Sequence, residues 1–212
     1  EPYLAQKERW PAEGRHILAQ YDDDTVVVYQ AYRPSIGRFA ADHGHFGGEW
    51  STGRMTWIKP NFLWMMYRCG WATKEGQEVV LAVTLHRAAF DEILAGAVHS
   101  NFVPDVFETR QAWKAAVRAS SVRLQWDPDH NPPGAKVERR AIQLGLRGEA
   151  TKRYSREWIV AIEDITPTVA TQRANATPAR YSQLVLPREH VYPVKDADVA
   201  RRLGVSARDA SR

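Results

Sequence analysis

The tightest constraint on this chain is a pair of helix breakers. Pro60 and Gly70 bracket the string NFLWMMYRC, which can therefore form one short helix and no longer one. Around it, Trp50, Trp57, Trp64 and Trp71 recur every seven residues and make up half of the eight tryptophans. One continuous helix carrying that repeat would present a coiled-coil seam. Here the breakers divide segment 46–71 into loop, helix and loop, which excludes the seam. Trp64 then belongs to the helix with Phe62, Met65, Met66 and Cys69, and Trp50 and Trp57 belong to the loop with Ser51, Thr52, Arg54 and Lys59. Aromatic rings interleaved with cations form either a core element whose charges are paired or the wall of a site for a planar anion.

The 212 residues are expected to form a single domain, 1–212, with a globular part at about 14–170 and a C-terminal extension at about 171–212. No apolar run approaches the roughly 18 residues of a membrane span, and the N-terminus lacks a signal pattern, so a cytoplasmic location is the default and no membrane partner is expected. Oligomeric state is not legible. The single cysteine, Cys69, excludes an internal disulfide framework and a cysteine-only metal cage. Arginine dominates the 29 basic residues, and its planar fork suits phosphate; a GC-rich genome would produce the same bias. A net charge of +4 does not by itself require nucleic acid.

The pattern along the chain predicts an α+β fold, with a mixed or mostly antiparallel central sheet flanked by short helices. Residues 1–23 read as an irregular lead-in with one short strand at 16–21. Strands are expected at 25–33, 78–86, 121–126, 141–146 and 158–165, and helices at 34–42, 61–69, 88–98, 109–119, 148–155 and 196–203. DPDHNPPG reads as a solvent loop, the segment beyond Pro167 as polar and poorly periodic, and the closing VSARDASR as frayed.

Site candidates gather at the end of the first long strand. In YQAYRP, alternation puts Tyr29, Ala31 and Arg33 on one face and Gln30 and Tyr32 on the other. Arg33, before a helix opened by Pro34, suits a phosphate or carboxylate clamp, or equally a structural salt bridge. Ser51, Thr52, Gly53 and Arg54 supply hydroxyls, close backbone approach and a guanidinium, without the spacing of a Walker motif. Lys59 adds charge near the N-terminus of the short helix, and Tyr67 adds a stacking surface. A second group is Gln143, Arg147 and Glu149 around Gly145 and Gly148, with Glu149 and Glu163 as candidate general acid–base residues. His43 and His45, and Asp127, Asp129 and His130, lack the further ligands that a metal site needs, so no metal is expected.

The strings YQAYRP, RMTWIKPNFLWMMYRCGW, VRLQWDP, IQLGLRGEA and WIVAIEDITP closely resemble the family catalogued as domain of unknown function 4291, over roughly residues 24–170. That label implies no activity. A looser, topology-level likeness links the chain to ADP-ribosyltransferases: Arg33 on an early strand, Ser51-Thr52 or Tyr67 next, then Glu149 or Glu163. The Ser-Thr-Ser string and Glu-x-Glu turn of those enzymes are missing. The resemblance implies a nucleotide-binding transferase, with NAD or another nucleotide as cofactor, acting on a nucleotide or nucleic acid. Arg33, Arg54, Lys59 and Arg147 would hold phosphates. Gln30, Tyr32, Ser51 and Thr52 would line the site, Trp57, Trp64 or Tyr67 would stack, and Glu149 or Glu163 would stabilise the developing charge. The alternative is a non-catalytic module for single-stranded nucleic acid. A third reading makes the aromatic segment plain core.

Overall fold

The run TVVVYQAY forms a strand buried in succession instead of alternately, because both of its faces are covered. The computed structural model describes residues 1–207. Its elements in chain order are α1 (Tyr3–Arg9), β1 (Leu18–Ala19), β2 (Thr25–Tyr32), α2 (Pro34–His43), β3 (Thr56–Ile58) and α3 (Phe62–Cys69). There follow β4 (Val79–His86), α4 (Arg87–Gly96), β5 (Ala97–His99), α5 (Arg110–Ala119), β6 (Val122–His130) and β7 (Lys136–Leu146). The last are α6 (Glu149–Arg156), β8 (Ile159–Asp164), α7 (Thr166–Arg173), a 3-10 turn at Pro178–Gln183, β9 (His190–Val191) and α8 (Ala197–Leu203).

The strands make an antiparallel sheet in the order β2-β4-β8, a sheet β3-β7-β6-β5 in which only β5 runs parallel to its neighbour, and a small β1-β9 pair. This is the expected α+β architecture. One core cluster lies between the two larger sheets, joining Val26 and Val28 of β2 to Leu124, Ile142 and Leu144 of the other sheet. A second covers the opposite face of β2 and β4, where Val27, Tyr29, Val80 and Ala82 meet Phe62, Met65 and Met66 of α3. The sheets are stitched where Tyr29 and Lys59 exchange backbone hydrogen bonds, Tyr29 N to Lys59 O at 2.7 Å and Lys59 N to Tyr29 O at 3.3 Å.

The short helix behaves as its breakers dictate. Asn61 caps it, with its side-chain oxygen accepting from Trp64 N at 2.6 Å, and Gly70 closes it in the left-handed conformation at φ 58°. A second acceptor at the same helix N-terminus is Glu189. Its carboxyl is 1% exposed and takes hydrogen bonds from Phe62 N at 2.6 Å and Asn61 Nδ2 at 3.1 Å.

Several expectations change. The lead-in contains α1, whose Gln6 binds the backbone of Pro187 and Glu189. Segment 171–207 is no appendage: β9 pairs with β1, and Leu184, Leu186, Tyr192 and Leu203 are buried in the two clusters. Of the closing string, Ser206 is tied to Arg15 by two hydrogen bonds, and residues 208–212 lie outside the described residues. DPDH is strand, not loop. β6 runs through Pro128 with a register shift there, which tolerates a residue that cannot donate. Asp129 is held in place by Arg139, at 2.6 Å in a buried ion pair that stacks over Trp10.

Asp129→Ala should therefore destabilise the protein by about 3–5 kcal/mol in urea unfolding, because it strands the Arg139 guanidinium in the interior. Burial pushes the Glu189 carboxyl up from 4.5 to about 8. The folded state thus keeps a proton that the unfolded chain releases. Stability from this group is complete below pH 4.5 and is lost as pH rises to about 8, by up to ~1.4 kcal/mol per pH unit. Thermal melts of Glu189→Gln across that range should lack this slope.

Candidate functional site

Beside the stitch between the sheets lies a cavity of about 700 Å³. Its walls come from the end of β2 (Gln30, Tyr32, Arg33), the 49–55 loop with β3 (Ser51, Arg54, Trp57), and Lys59 just beyond. Met65 and Arg68 of α3, Gln77 of the following loop, and Gln125 and Gln143 of β6 and β7 complete it. Strand end and loop meet here because β3 pairs with β7 on one side, while Lys59 bridges to β2 on the other.

Local chemistry shapes each wall. Trp57 lies opposite Gly145 in the β3–β7 register. A Cβ at Gly145 would sit 3.0 Å from the Trp57 ring and 2.7 Å from Met55 Sδ, so the glycine is what lets the indole rest against the strand. The loop after α3 keeps three consecutive residues, Gly70, Trp71 and Ala72, and then Gly76 in the left-handed region, and brings Gln77 to the cavity. Trp71 tolerates that backbone because its indole is buried and donates to Pro132 O at 3.1 Å.

The inner wall is a closed hydrogen-bond network. Gln30 donates to Thr56 Oγ1 at 2.7 Å and Tyr32 Oη at 2.9 Å, and its carbonyl accepts from Tyr154 Oη at 2.6 Å. Trp50 donates to Tyr32 Oη at 3.1 Å. Burial raises the Tyr32 phenol, so the network stays neutral. Gln30 and Tyr32 thus organise the wall, with their own hydrogen-bonding capacity spent on protein partners.

The cations divide into two kinds. Arg33 is engaged by Glu49 at 2.6 Å, and Glu49 also accepts from Ser35 at 2.9 Å. Lys59, Arg54 and Arg68 make no ion pair among the described residues. Arg54 and Arg68 are exposed, but Lys59 is only 6% exposed, and its ammonium has a single protein acceptor, Trp57 O at 3.3 Å. Burial, reinforced by the like charge of Arg68, lowers the Lys59 amine to about 8, against a partial upward pull from Asp127. Among the described residues, three cations of the cavity thus lack a carboxylate at ion-pair distance, which gives this part of the wall a positive local field.

Of the residues anticipated from sequence, Gln30, Tyr32, Arg33, Ser51, Arg54, Trp57, Lys59 and Gln143 line this cavity. The others are elsewhere. Thr52 sits exposed in the loop without lining the cavity. Tyr67 lies flat on the His130 ring, centroids 3.5 Å apart, on the outer side of α3. Arg147 donates to Val117, Arg118 and Ser120 carbonyls at the C-terminal end of α5, where a cation offsets the helix dipole. Glu149 is exposed on α6 beside Lys152 and borders a different, apolar groove, and Glu163 is exposed on β8. No acidic residue of the anticipated pair faces Arg33, which removes the constellation that the ADP-ribosyltransferase likeness required.

Gln77, Gln125 and Glu49 were missed. Gln125 and Gln143 are directly opposite in the β6–β7 register, and a hairpin closed through NPPG would have paired them. Among the described residues no group of three His, Cys, Asp or Glu side chains is placed to hold a metal ion. No curated protein matches the sequence. The likeness to ADP-ribosyltransferases finds no support in the comparisons. The profile of the domain of unknown function DUF4291 matches residues 16–192, spanning both sheets and every wall of the cavity, and the chain belongs to that family.

Proposed function

We propose that the cavity binds a nucleotide, with the phosphates on Lys59, Arg54 and Arg68 and the ring system against Trp57. The observation that carries this reading is Lys59. An ammonium withdrawn from water costs several kcal/mol unless something anionic meets it, and among the described residues no carboxylate comes within ion-pair distance. A bound phosphate would offset that cost, and the neighbouring indoles supply the apolar, planar surface that a base or nicotinamide ring requires. NAD and simple mononucleotides are the first ligands to try. A transferase acting on the bound nucleotide, or passing part of it to a nucleic acid, would have to recruit Lys59 or Glu49. These line the cavity, whereas Glu149 and Glu163 do not.

Titration of tryptophan fluorescence with NAD, ATP and tripolyphosphate at low salt should give saturable quenching. Affinity should fall as pH rises through about 8, because Lys59 then loses the charge that faces the phosphate. Lys59→Met should weaken binding about tenfold or more and abolish that pH dependence, in line with ~1.5–3 kcal/mol for a charged hydrogen bond. Absence of any response at millimolar ligand would refute the assignment. In the ligand-free protein the same substitution should raise stability by about 1–2 kcal/mol in urea unfolding, as expected where a site keeps a strained group for function.

A further inference from the structure

Gln125 and Gln143 differ from the other glutamines of the cavity in having their amides oriented from behind. Gln143 Nε2 donates to Asp127 Oδ2 at 2.7 Å and to Gln125 Oε1 at 3.3 Å. A carboxylate accepts and does not donate, so Asp127 determines which end of the Gln143 amide turns toward it. That choice passes to Gln125, whose carbonyl oxygen is taken by Gln143. Two atoms of the relay remain without a protein partner among the described residues, Gln143 Oε1 and Gln125 Nε2. Both side chains line the cavity, from adjacent strands in direct register. The pair offers one acceptor beside one donor, in a polarity that Asp127 selects. Gln30 offers nothing comparable, since both ends of its amide are used inside the protein. Among the described residues Gln77 has no side-chain partner to set its amide, so either end can turn to a ligand.

We propose that Gln125 and Gln143 form a base-reading subsite for a ring carrying an exocyclic amino group beside a ring-nitrogen acceptor, the edge found on adenine and cytosine. The amino group donates to Gln143 Oε1, and the ring nitrogen accepts from Gln125 Nε2. Asp127 is a positioning residue that touches no ligand and holds both amides in that sense. The inference rests on the nucleotide reading of the cavity, with the phosphates on Lys59, Arg54 and Arg68 limiting how far the base can turn over. Keto bases such as hypoxanthine and uracil present the reverse order, an acceptor where the amino group was and an N–H donor at the ring nitrogen. They would leave both glutamine atoms opposed by like groups, a mismatch of the size that bidentate pairs discriminate against in nucleic-acid recognition.

The test compares affinities for ATP against ITP and CTP against UTP, with tripolyphosphate as the base-free reference, in the full chain and in Asp127→Ala. The expected result is a preference of about tenfold or more for the amino-bearing member of each pair. In Asp127→Ala that ratio should collapse toward one, because the two glutamines can then flip together, and tripolyphosphate should still bind. The ratio is insensitive to a uniform change in phosphate affinity or in the fraction folded. Gln125→Leu, which deletes the donor, should lower the same ratio while leaving Asp127 in place. Equal binding of amino and keto partners by the unaltered chain, or a ratio unchanged in both variants, overturns the subsite while leaving the anion site standing. Failure of tripolyphosphate and all four nucleotides to bind overturns the cavity assignment itself, and the subsite with it.

Discussion

Two backbone hydrogen bonds between Tyr29 and Lys59 organise this molecule. They join the edge of one sheet to the segment leading from the other, and they do so where both sheets are already covered by core. Pairing there forces the side chain of Lys59 inward. An exposed lysine on a loop would be unremarkable; the same residue tied to a buried strand becomes an ammonium that burial disfavours. The cavity exists because the chain must turn away after Ile58 to enter α3, which leaves a cleft between strand ends.

The stitch also explains why distant parts of the chain converge on α3. That helix covers Tyr29 on one side of the first sheet, so its N-terminus points into the interior, where its free N–H groups cannot reach water. Glu189 takes the N–H of Phe62 and Asn61 that of Trp64. Glu189 in turn hangs on Gln6 and Trp10, which ties the segment around α1 and the segment leading into β9 to the same interior. A helix of eight residues has little stability of its own, and its place is set by packing and caps.

Much of this was legible locally. The valine run of β2, the Gly70 stop of α3, the Pro34 opening of α2 and the helices α5 and α8 follow from rules spanning a few residues. So does the grouping of Ser51, Arg54, Trp57 and Lys59, because they are close in sequence and stay close in space. What failed were judgements about single residues whose partner lies far along the chain. Pro128 looked like a loop residue until its opposite strand, with Arg140 across from it, was in place. Glu149 and Glu163 looked catalytic on spacing alone, and their strand and helix carry them to other surfaces. Arg147 looked like a phosphate ligand, but the end of α5 offered it carbonyls first.

The sequence by itself determined most of the element types, the breakers that keep the tryptophan segment from being one helix, the family, and a cluster of cations among aromatic rings. It did so because propensity, capping and turn chemistry act over a few bonds. The tertiary structure alone decided which cations have carboxylate partners, that Lys59 is buried without one among the described residues, and that Gln125, Asp127 and Gln143 share a relay. Those outcomes depend on strand register and burial, and register is a property of pairs of segments that no single stretch of sequence contains.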